Sequence, residues 1–328
     1  MVLLLSADLP PNTFFMKIAL DAMGGDFAPQ AAVAGALLAA EQLAGRATIV
    51  LIGQEDAVRP LLQAAGPAGA ALEFVAASQV IDMGEHPAKA FQQKQDSSIA
   101  VGYKMLLAGE VDAFCSAGNT GAMLVGAMFT VKTVPGVMRP AIANFLPKLH
   151  NNVGILLDVG ANAECKPEML EQFGELGSLY AQHVLGIAKP QVGLMNIGEE
   201  EGKGTPIIQE AHQRLKANPH INFVGNIEGR DLFNDKADVI VCDGFTGNII
   251  LKMAESIYDA MDEKKIQDPF FDKFNYEAVG GSPILGINDN AIIGHGRSTP
   301  RAIGNMLMQG FNMADSGIVD QIKATFKS

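Results

Sequence analysis

The chain has 328 residues, a net charge of −12, only 6% aromatic residues and no Trp. That length buries a large core as one or two α/β units, and the acidic balance excludes nonspecific nucleic-acid binding, which needs clustered Lys and Arg. Cys115, Cys165 and Cys242 form neither a disulfide framework nor a paired zinc spacing, so a reducing cytoplasm is expected, and no apolar run reaches the roughly 18 residues of a membrane span.

Residues 1–15 read as an extension outside the fold. Val2 to Leu5 is apolar, but no basic region or small-residue cleavage site accompanies it. Strand 17–21 then opens the fold and ends in the turn Ala22-Met23-Gly24-Gly25-Asp26. Pro29 suits the first turn of a helix reaching residue 44. Strands at 47–53 and 72–76 flank a helix at 56–65. This alternation with short links predicts parallel strands in a doubly wound sheet. One helix is expected over 88–109. A strand at 111–115 feeds the turn Ser116-Ala117-Gly118-Asn119-Thr120-Gly121, and a connector at 134–140 carries Arg139. Strands at 141–146 and 154–158 pair as an antiparallel excursion. Helices at 167–185 and 206–217 alternate with strands at 191–196, 221–225 and 237–242. The helical pattern weakens after 249–265, and 280–286 reads as a loop. A strand at 291–294 leads into His295-Gly296-Arg297-Ser298, and helices at 300–312 and from 317 close the chain.

A strand feeding a Gly-rich turn feeding a helix aims backbone N–H groups at an anion. The form occurs at 113–126 and again at 155–167 and 239–252. In open parallel sheets, ligands bind beyond the carboxyl ends of the strands. That rule gathers Asp21, Gly24, Gly25, Asp26, Asn119, Thr120, Asp158, Asn162, Asn196, Asn226, Arg230, Asp243, Asn248 and His295 toward one rim. Each alone is more often a cap or turn residue; the set points to a site. Glu199 joins it from a Gly-flanked loop, where Lys203 can pair with it or bind an anion. No GxGxxG follows the first strand, and Walker A, HExxH and GxSxG are missing. Neither a nucleotide cofactor nor a metal is expected.

Six separated motifs then carry a family resemblance. They are Asp21-Ala22-Met23-Gly24-Gly25-Asp26, Ser116-Ala117-Gly118-Asn119-Thr120-Gly121, Leu157-Asp158-Val159-Gly160-Ala161-Asn162, Asn196-Ile197-Gly198-Glu199-Glu200, the run from Phe223 through Asn226 to Arg230-Asp231, and Val241-Cys242-Asp243-Gly244-Phe245. In this order they resemble the bacterial phosphate acyltransferase (PlsX) family of fatty acid and phospholipid synthesis. The resemblance covers residue 16 to the end, which makes 16–328 a single phosphate acyltransferase domain. It implies a Rossmann-like three-layer α/β/α fold with a mostly parallel sheet, similar to isocitrate/isopropylmalate dehydrogenases and phosphotransacetylases. The implied reaction moves a long-chain acyl group from acyl carrier protein to inorganic phosphate, giving acyl phosphate without any cofactor. A cytoplasmic homodimer with peripheral membrane contact, passing product to a glycerol-3-phosphate acyltransferase, is implied as well. The stretch 262–276, with Lys264, Lys265, Lys273 and a Phe cluster, is shorter than the family's amphipathic insertion, so membrane contact is expected to be weak.

The chemistry asks for little base strength. Phosphate is already an anionic nucleophile, and a thiolate leaves readily because thiol pKa values lie near about 8.5. The site must hold phosphate and stabilise an oxyanion. Gly118, Asn119, Thr120 and Gly121 are expected to cradle phosphate, with Arg139 or Lys203 as counter-charge. Asn119, Asn162, Asn226, Lys166 and His295 are the catalytic candidates. Between 86 and 157, Lys89, Lys94, Lys104, Lys132, Arg139 and Lys148 outnumber Asp96, Glu110 and Asp112. An acidic carrier is therefore expected to dock on Lys89, Lys94, Lys104 and Lys132. Two other readings stay open: a phosphotransacetylase-like enzyme using acyl-CoA, and a noncatalytic acyl-carrier-binding scaffold.

Overall fold

The structure is a computed structural model that describes residues 16–150 and 152–327. The expected extension at 1–15 lies outside the described residues. Eleven strands form one sheet: β1 (Met16–Asp21), β2 (Ala47–Gly53), β3 (Glu73–Ala76), β4 (Ala113–Ser116), β5 (Ala141–Pro147), β6 (Val153–Leu157), β7 (Gln191–Met195), β8 (Asn222–Ile227), β9 (Val239–Val241), β10 (Gly281–Leu285) and β11 (Ala291–Gly294). Their spatial order is β3-β2-β1-β4-β11-β10-β5-β6-β9-β7-β8.

Helices cover both faces, so the inner strands are continuous apolar runs rather than alternating ones; β2, Ala-Thr-Ile-Val-Leu-Ile-Gly, is buried almost throughout. Successive side chains still go to opposite faces. Ile18 and Leu20 enter one core cluster with Val33, Phe173 and Ile303. Ala19 enters the other with Tyr103, Met123 and Leu156. These are the two interfaces of a three-layer α/β/α fold, with the mostly parallel sheet the sequence led us to expect.

The strand directions divide the sheet. β3, β2, β1, β4 and β11 are mutually parallel, as are β6, β9, β7 and β8. Each of the pairs β11–β10, β10–β5 and β5–β6 is antiparallel. The second parallel group therefore runs opposite to the first. Its carboxyl ends open on the other edge of the sheet, so the single rim expected above does not form. Asp21, Asn119 and His295 follow strands of the first group. Asp158, Asn196, Asn226 and Asp243 sit at strand ends of the second.

Two elements differ from expectation. The helix predicted over 88–109 is two, Pro87–Gln93 and Ser98–Leu107. Lys94 leaves helical geometry, and Ser97 restarts the helix by accepting a hydrogen bond from the Ala100 N–H at 3.3 Å. The segment read as a loop at 280–286 contains strand β10. Gly280, Pro283 and Gly286 look like loop residues locally, but pairing with β11 and β5 on both sides overrides that preference.

Candidate active site

The turns after β1 and β4 interlock. Asp21 is buried; its Oδ1 accepts from the Met23 N–H at 2.9 Å and its Oδ2 from the Ser116 hydroxyl at 2.7 Å. Ser116 Oγ in turn accepts from the Gly118 N–H at 2.9 Å. Burial pushes the Asp21 carboxyl up, against the hydrogen bonds from Ser98, Ser116, Met23 and Gly24. A Cβ on Gly24 would lie 2.6 Å from the Gly118 nitrogen, so only glycine lets these turns touch. Asn119 caps the helix Thr120–Gly126 by accepting from Ala122 N–H at 3.0 Å. Its Nδ2 donates to the carbonyls of Asp82, Met83 and Glu85 at 3.2, 3.2 and 3.1 Å. The expected phosphate cradle is thus largely committed internally. The Gly118 amide serves Ser116, Asn119 holds the 82–85 loop, Gly121 packs on Pro87, and Thr120 is the exposed member.

The turns after β6 and β9 interlock in the same manner. Asp158 is fully buried. Its Oδ1 accepts from the Ile142 and Ala161 N–H groups, both at 3.0 Å. Its Oδ2 accepts from Asn162 N–H at 2.7 Å and Asn162 Nδ2 at 2.9 Å. Asn162 Nδ2 also donates to the Pro140 carbonyl at 2.8 Å. Asp243 caps the helix Gly244–Glu263 through the Thr246 N–H at 2.8 Å. Gly244 N–H donates to Asn162 O at 2.7 Å, and a Cβ on Gly247 would run into the Asp158 carbonyl. Asn248 Nδ2 reaches Val159 O at 3.3 Å. Asp158, Asn162 and Asp243 therefore act as struts of the turn pair.

Two cavities border these turns. A groove of about 400 Å³ lies between the parallel groups. Its floor is β5 and β6 (Ile142, Asn144, Leu146, Leu156), one wall is the helix Gly244–Glu263 (Asn248, Leu251, Lys252, Ala254, Glu255), and the other is Asp26, Thr120, His295 and Arg297. A larger, open cavity of about 1560 Å³ lies at the second turn pair, lined by Arg139, Asn162, Lys166, Asn196, Asp243 and the apolar Met138, Ile197, Ile207 and Phe245. Of the expected site residues, Asp26, Thr120, Asn248 and His295 meet in the groove. Arg139 and Lys166 line the larger cavity, away from Thr120. Lys203 is exposed on the loop before Gly204, which borders that cavity.

The model of the fatty acid synthesis protein family matches residues 16–321. The chain belongs to that family. A phosphate acyltransferase of Heliobacterium modesticaldum is 45% identical over 313 residues, covering 89% of this chain and 92% of that one. One from Dictyoglomus turgidum is 43% identical over 311 residues with the same coverage. One from Salinibacter ruber is 41% identical over 332 residues, covering 95% and 98%. The fold is shared with a phosphotransacetylase from Streptococcus pyogenes (TM-score 0.64, 17% identity, 92% of this chain and 94% of that chain) and with the EutD phosphotransacetylase of Staphylococcus aureus (0.63, 17%, 92% and 94%). This family member is accordingly an acyltransferase.

The mouth of this acyltransferase's groove carries both charges, Arg297 and Lys252 beside Asp26 and Glu255. His295 is half-buried. Burial first, then the charge of Lys252, holds its imidazole below the ordinary histidine value of 6.5, while Glu255 and Asp26 pull it upward. The ring is neutral at pH 7 and sits where the two walls approach. Arg297, exposed two residues on, donates its backbone N–H to His295 Nδ1 at 3.2 Å. Lys252 pairs with Glu255 at 2.7 Å. Arg297 and Lys252 were not singled out from sequence. The signal for Arg297 was its place in the His295 turn. Lys252 could have been found from Asn248, one helical turn earlier on the same face.

The remaining expected residues are structural or paired. Buried Asn226 donates to Glu200 O at 2.9 Å and shares a hydrogen bond with His212 Nδ1 at 2.8 Å, tying β8 to the 197–204 loop. Asn196 donates to Lys203 O at 3.1 Å. Arg230 pairs with Glu228 at 2.5 Å and with Glu199 at 3.5 Å. Oxygens of Glu199, Glu228 and Asp231 lie within 4.8 Å of one another, but Lys236 already bridges Glu199 and Asp231 at 2.8 and 3.2 Å. In the basic segment, Lys94 is held by Val80 O and Glu85, each at 2.6 Å, and Lys104 by Gln95 O at 2.6 Å. Lys148 is buried against Leu232 O at 2.9 Å. Lys89 and Lys132 are exposed and have no side-chain partner among the described residues.

Proposed function

We propose that this acyltransferase moves an acyl group from acyl carrier protein to inorganic phosphate and releases acyl phosphate. The observation that carries the reading is the groove mouth, where Thr120, His295, Arg297 and Lys252 converge above an apolar floor. An anionic nucleophile and a greasy acyl donor need those two surroundings side by side. Arg297 and Lys252 hold phosphate, in place of the Arg139 and Lys203 expected from sequence. A phosphate oxygen attacks the thioester carbonyl, the C–O bond forms, and the C–S bond breaks to free the carrier thiol. The Thr120 hydroxyl donates to the developing oxyanion. His295, whose Nδ1 accepts the Arg297 N–H, presents its Nε2–H as a hydrogen-bond donor to the reacting group, and the proton carried by the attacking phosphate passes to the leaving sulfur. Asn119, Asn162 and Asn226 serve as struts in this reading, and Lys166 belongs to the larger cavity.

The carrier docks through Lys89 and Lys132, which are exposed and without a side-chain partner among the described residues. A homodimer is part of this reading, and the helix Gly244–Glu263 supports it by exposing Phe245, Ile249, Met253 and Ile257 at four-residue spacing, a single apolar stripe suited to a second copy. A long-chain acyl phosphate is a reactive amphiphile, so its consumer, a glycerol-3-phosphate acyltransferase, is expected nearby at the membrane. In this reading the contact there is peripheral; among the described residues no helix is long and apolar enough to cross a membrane.

The test is hydroxamate trapping of acyl phosphate from purified acyl carrier protein thioester plus phosphate, with acyl-CoA alongside. Phosphate-dependent product that prefers the carrier supports the reading. Product from acyl-CoA alone moves the protein to phosphotransacetylase-like chemistry, a reading favoured by the shared fold. No product from either, with folded protein in hand, leaves an acyl-carrier scaffold.

A further inference from the structure

The groove has walls that the phosphate chemistry does not use. We infer that it is the seat of the acyl chain and limits its length, an inference that rests on the proposed transfer reaction. Ile142, Asn144 and Leu146 are alternate residues of β5, so they face the same side of the sheet and build the floor with Leu156 of β6. Leu251 and Ala254 overhang it from the helix Gly244–Glu263. Phe274 completes the lining and is held rigidly, edge-on to Phe233 and Phe270 with centroids at 5.2 and 5.3 Å. The Phe cluster of 262–276 that reads in sequence as a membrane element thus lends one ring to this groove.

The proposed phosphate position sets the orientation of the occupant. Arg297 lies at the Thr120–His295 wall, Lys252 on the facing helix and Lys273 beside Phe274, while β5 supplies the hydrocarbon floor. With phosphate at Arg297, the reacting carbonyl lies at the mouth and the tail over β5. Volume decides how much tail fits. A methylene fills roughly the ~30 Å³ of a liquid water, so 400 Å³ holds a chain of about a dozen carbons. Asn144 is the polar interruption of this floor, and its Oδ1 is buried without a hydrogen-bond partner.

Two substitutions read this out with full-length enzyme and octanoyl-, lauroyl- and palmitoyl-carrier donors. Ala254→Trp fills the groove from a half-buried helix position. It should lower kcat/KM for palmitoyl relative to octanoyl about tenfold or more. Asn144→Leu replaces the orphaned amide with hydrocarbon of similar size and should shift the same ratio the other way, several-fold toward the long chain. Displacement of a fluorescent fatty acid from the same proteins reports binding without turnover and should follow the same order. Chain-length profiles unchanged in both folded variants overturn the inference while the transfer reaction stands. A fall in long-chain preference with Asn144→Leu also overturns it, pointing to an amide-bearing arm that donates to Asn144. Should Ala254→Trp fail to fold, Asn144→Leu and the displacement assay still decide. Wild-type enzyme that makes no acyl phosphate from any donor removes the reaction itself, a result distinct from all of these.

Discussion

Asp21 and Asp158 occupy matching places in the two parallel groups, and their differences separate scaffold from chemistry. Both carboxyls are buried and pushed up by that burial. Asp21 accepts from the Met23 and Gly24 N–H groups and from the Ser116 and Ser98 hydroxyls, with Met23 at 2.9 Å and Ser116 at 2.7 Å. A hydroxyl can reverse its role from donor to acceptor. Asp158 receives the N–H groups of Ile142, Ala161 and Asn162 and the Asn162 amide, all fixed donors. The second turn pair is therefore a closed lock that anchors the start of β5 to the end of β6. The first is looser, and on its outer side it leaves Thr120 beside His295 and Arg297. A repeated motif marks a repeated way of joining strand to helix; it does not mark a repeated site.

The largest effect should come from the mouth. Arg297→Ala removes an exposed cation from the proposed phosphate position. Turnover should drop about a hundredfold or more with an unchanged melting temperature, as for loss of one preorganised donor. A mere twofold loss would move phosphate to Arg139 and Lys166, and the larger cavity would become the active site.

The locks should differ next, in stability rather than rate. Asp158→Asn sets an amide N–H against fixed donors and should cost about 2–3 kcal/mol in thermal or urea unfolding. Asp21→Asn keeps an acceptor for Met23 and offers a donor to Ser116 Oγ, so its cost should stay within about 1 kcal/mol. The pH dependence has the same sign at both, since burial raises both carboxyls. The folded carboxyl of Asp21 lies above its unfolded value of 3.8. Its contribution is thus fully present below that value and is lost as pH rises through the higher folded one. Asp21→Asn should remove the Asp21 share of that decline above pH 3.8. A variant that follows the wild-type curve would show that other groups govern the slope.

Much of this architecture was legible. Strand and helix order followed from apolar runs punctuated by Gly and Pro, and the antiparallel excursion at β5 and β6 was expected. The direction of the second group was not, because strand polarity depends on β10, whose Gly281 and Pro283 read as loop. With β10 missing, every turn fell on one imagined rim. The site was legible in part for the same reason. Thr120, Asp26, Asn248 and His295 were found by motif and do meet in the groove. Asn119, Asp158 and Asn226 share that signature because a buried polar side chain that caps a turn resembles one that holds a ligand. Only the partners of each atom tell them apart. Arg297 and Lys252 lay within such strand–turn–helix stretches but were passed over for the Asn, Gly and His residues beside them.

The smallest effect tests the same distinction among the lysines of the first half. Sequence gives Lys89, Lys94, Lys104 and Lys132 equal standing as a docking surface for an acidic carrier. In the fold they divide. Lys94 spends its ammonium on Glu85 and Val80 O, and Lys104 on Gln95 O, while Lys89 and Lys132 stand exposed. A cation already paired with a carboxylate adds little field at a distance, and an exposed one is screened only by salt. Lys89→Ala and Lys132→Ala should each raise KM for the carrier about two- to threefold at low ionic strength, and that difference should vanish at high salt. Lys94→Ala should leave the salt dependence as it is and act through the 80–85 loop that Asn119 also holds, lowering the melting temperature slightly. The measurement is KM against salt for the three variants. Equal slopes for all would mean that pairing within the fold does not decide which lysines the carrier meets.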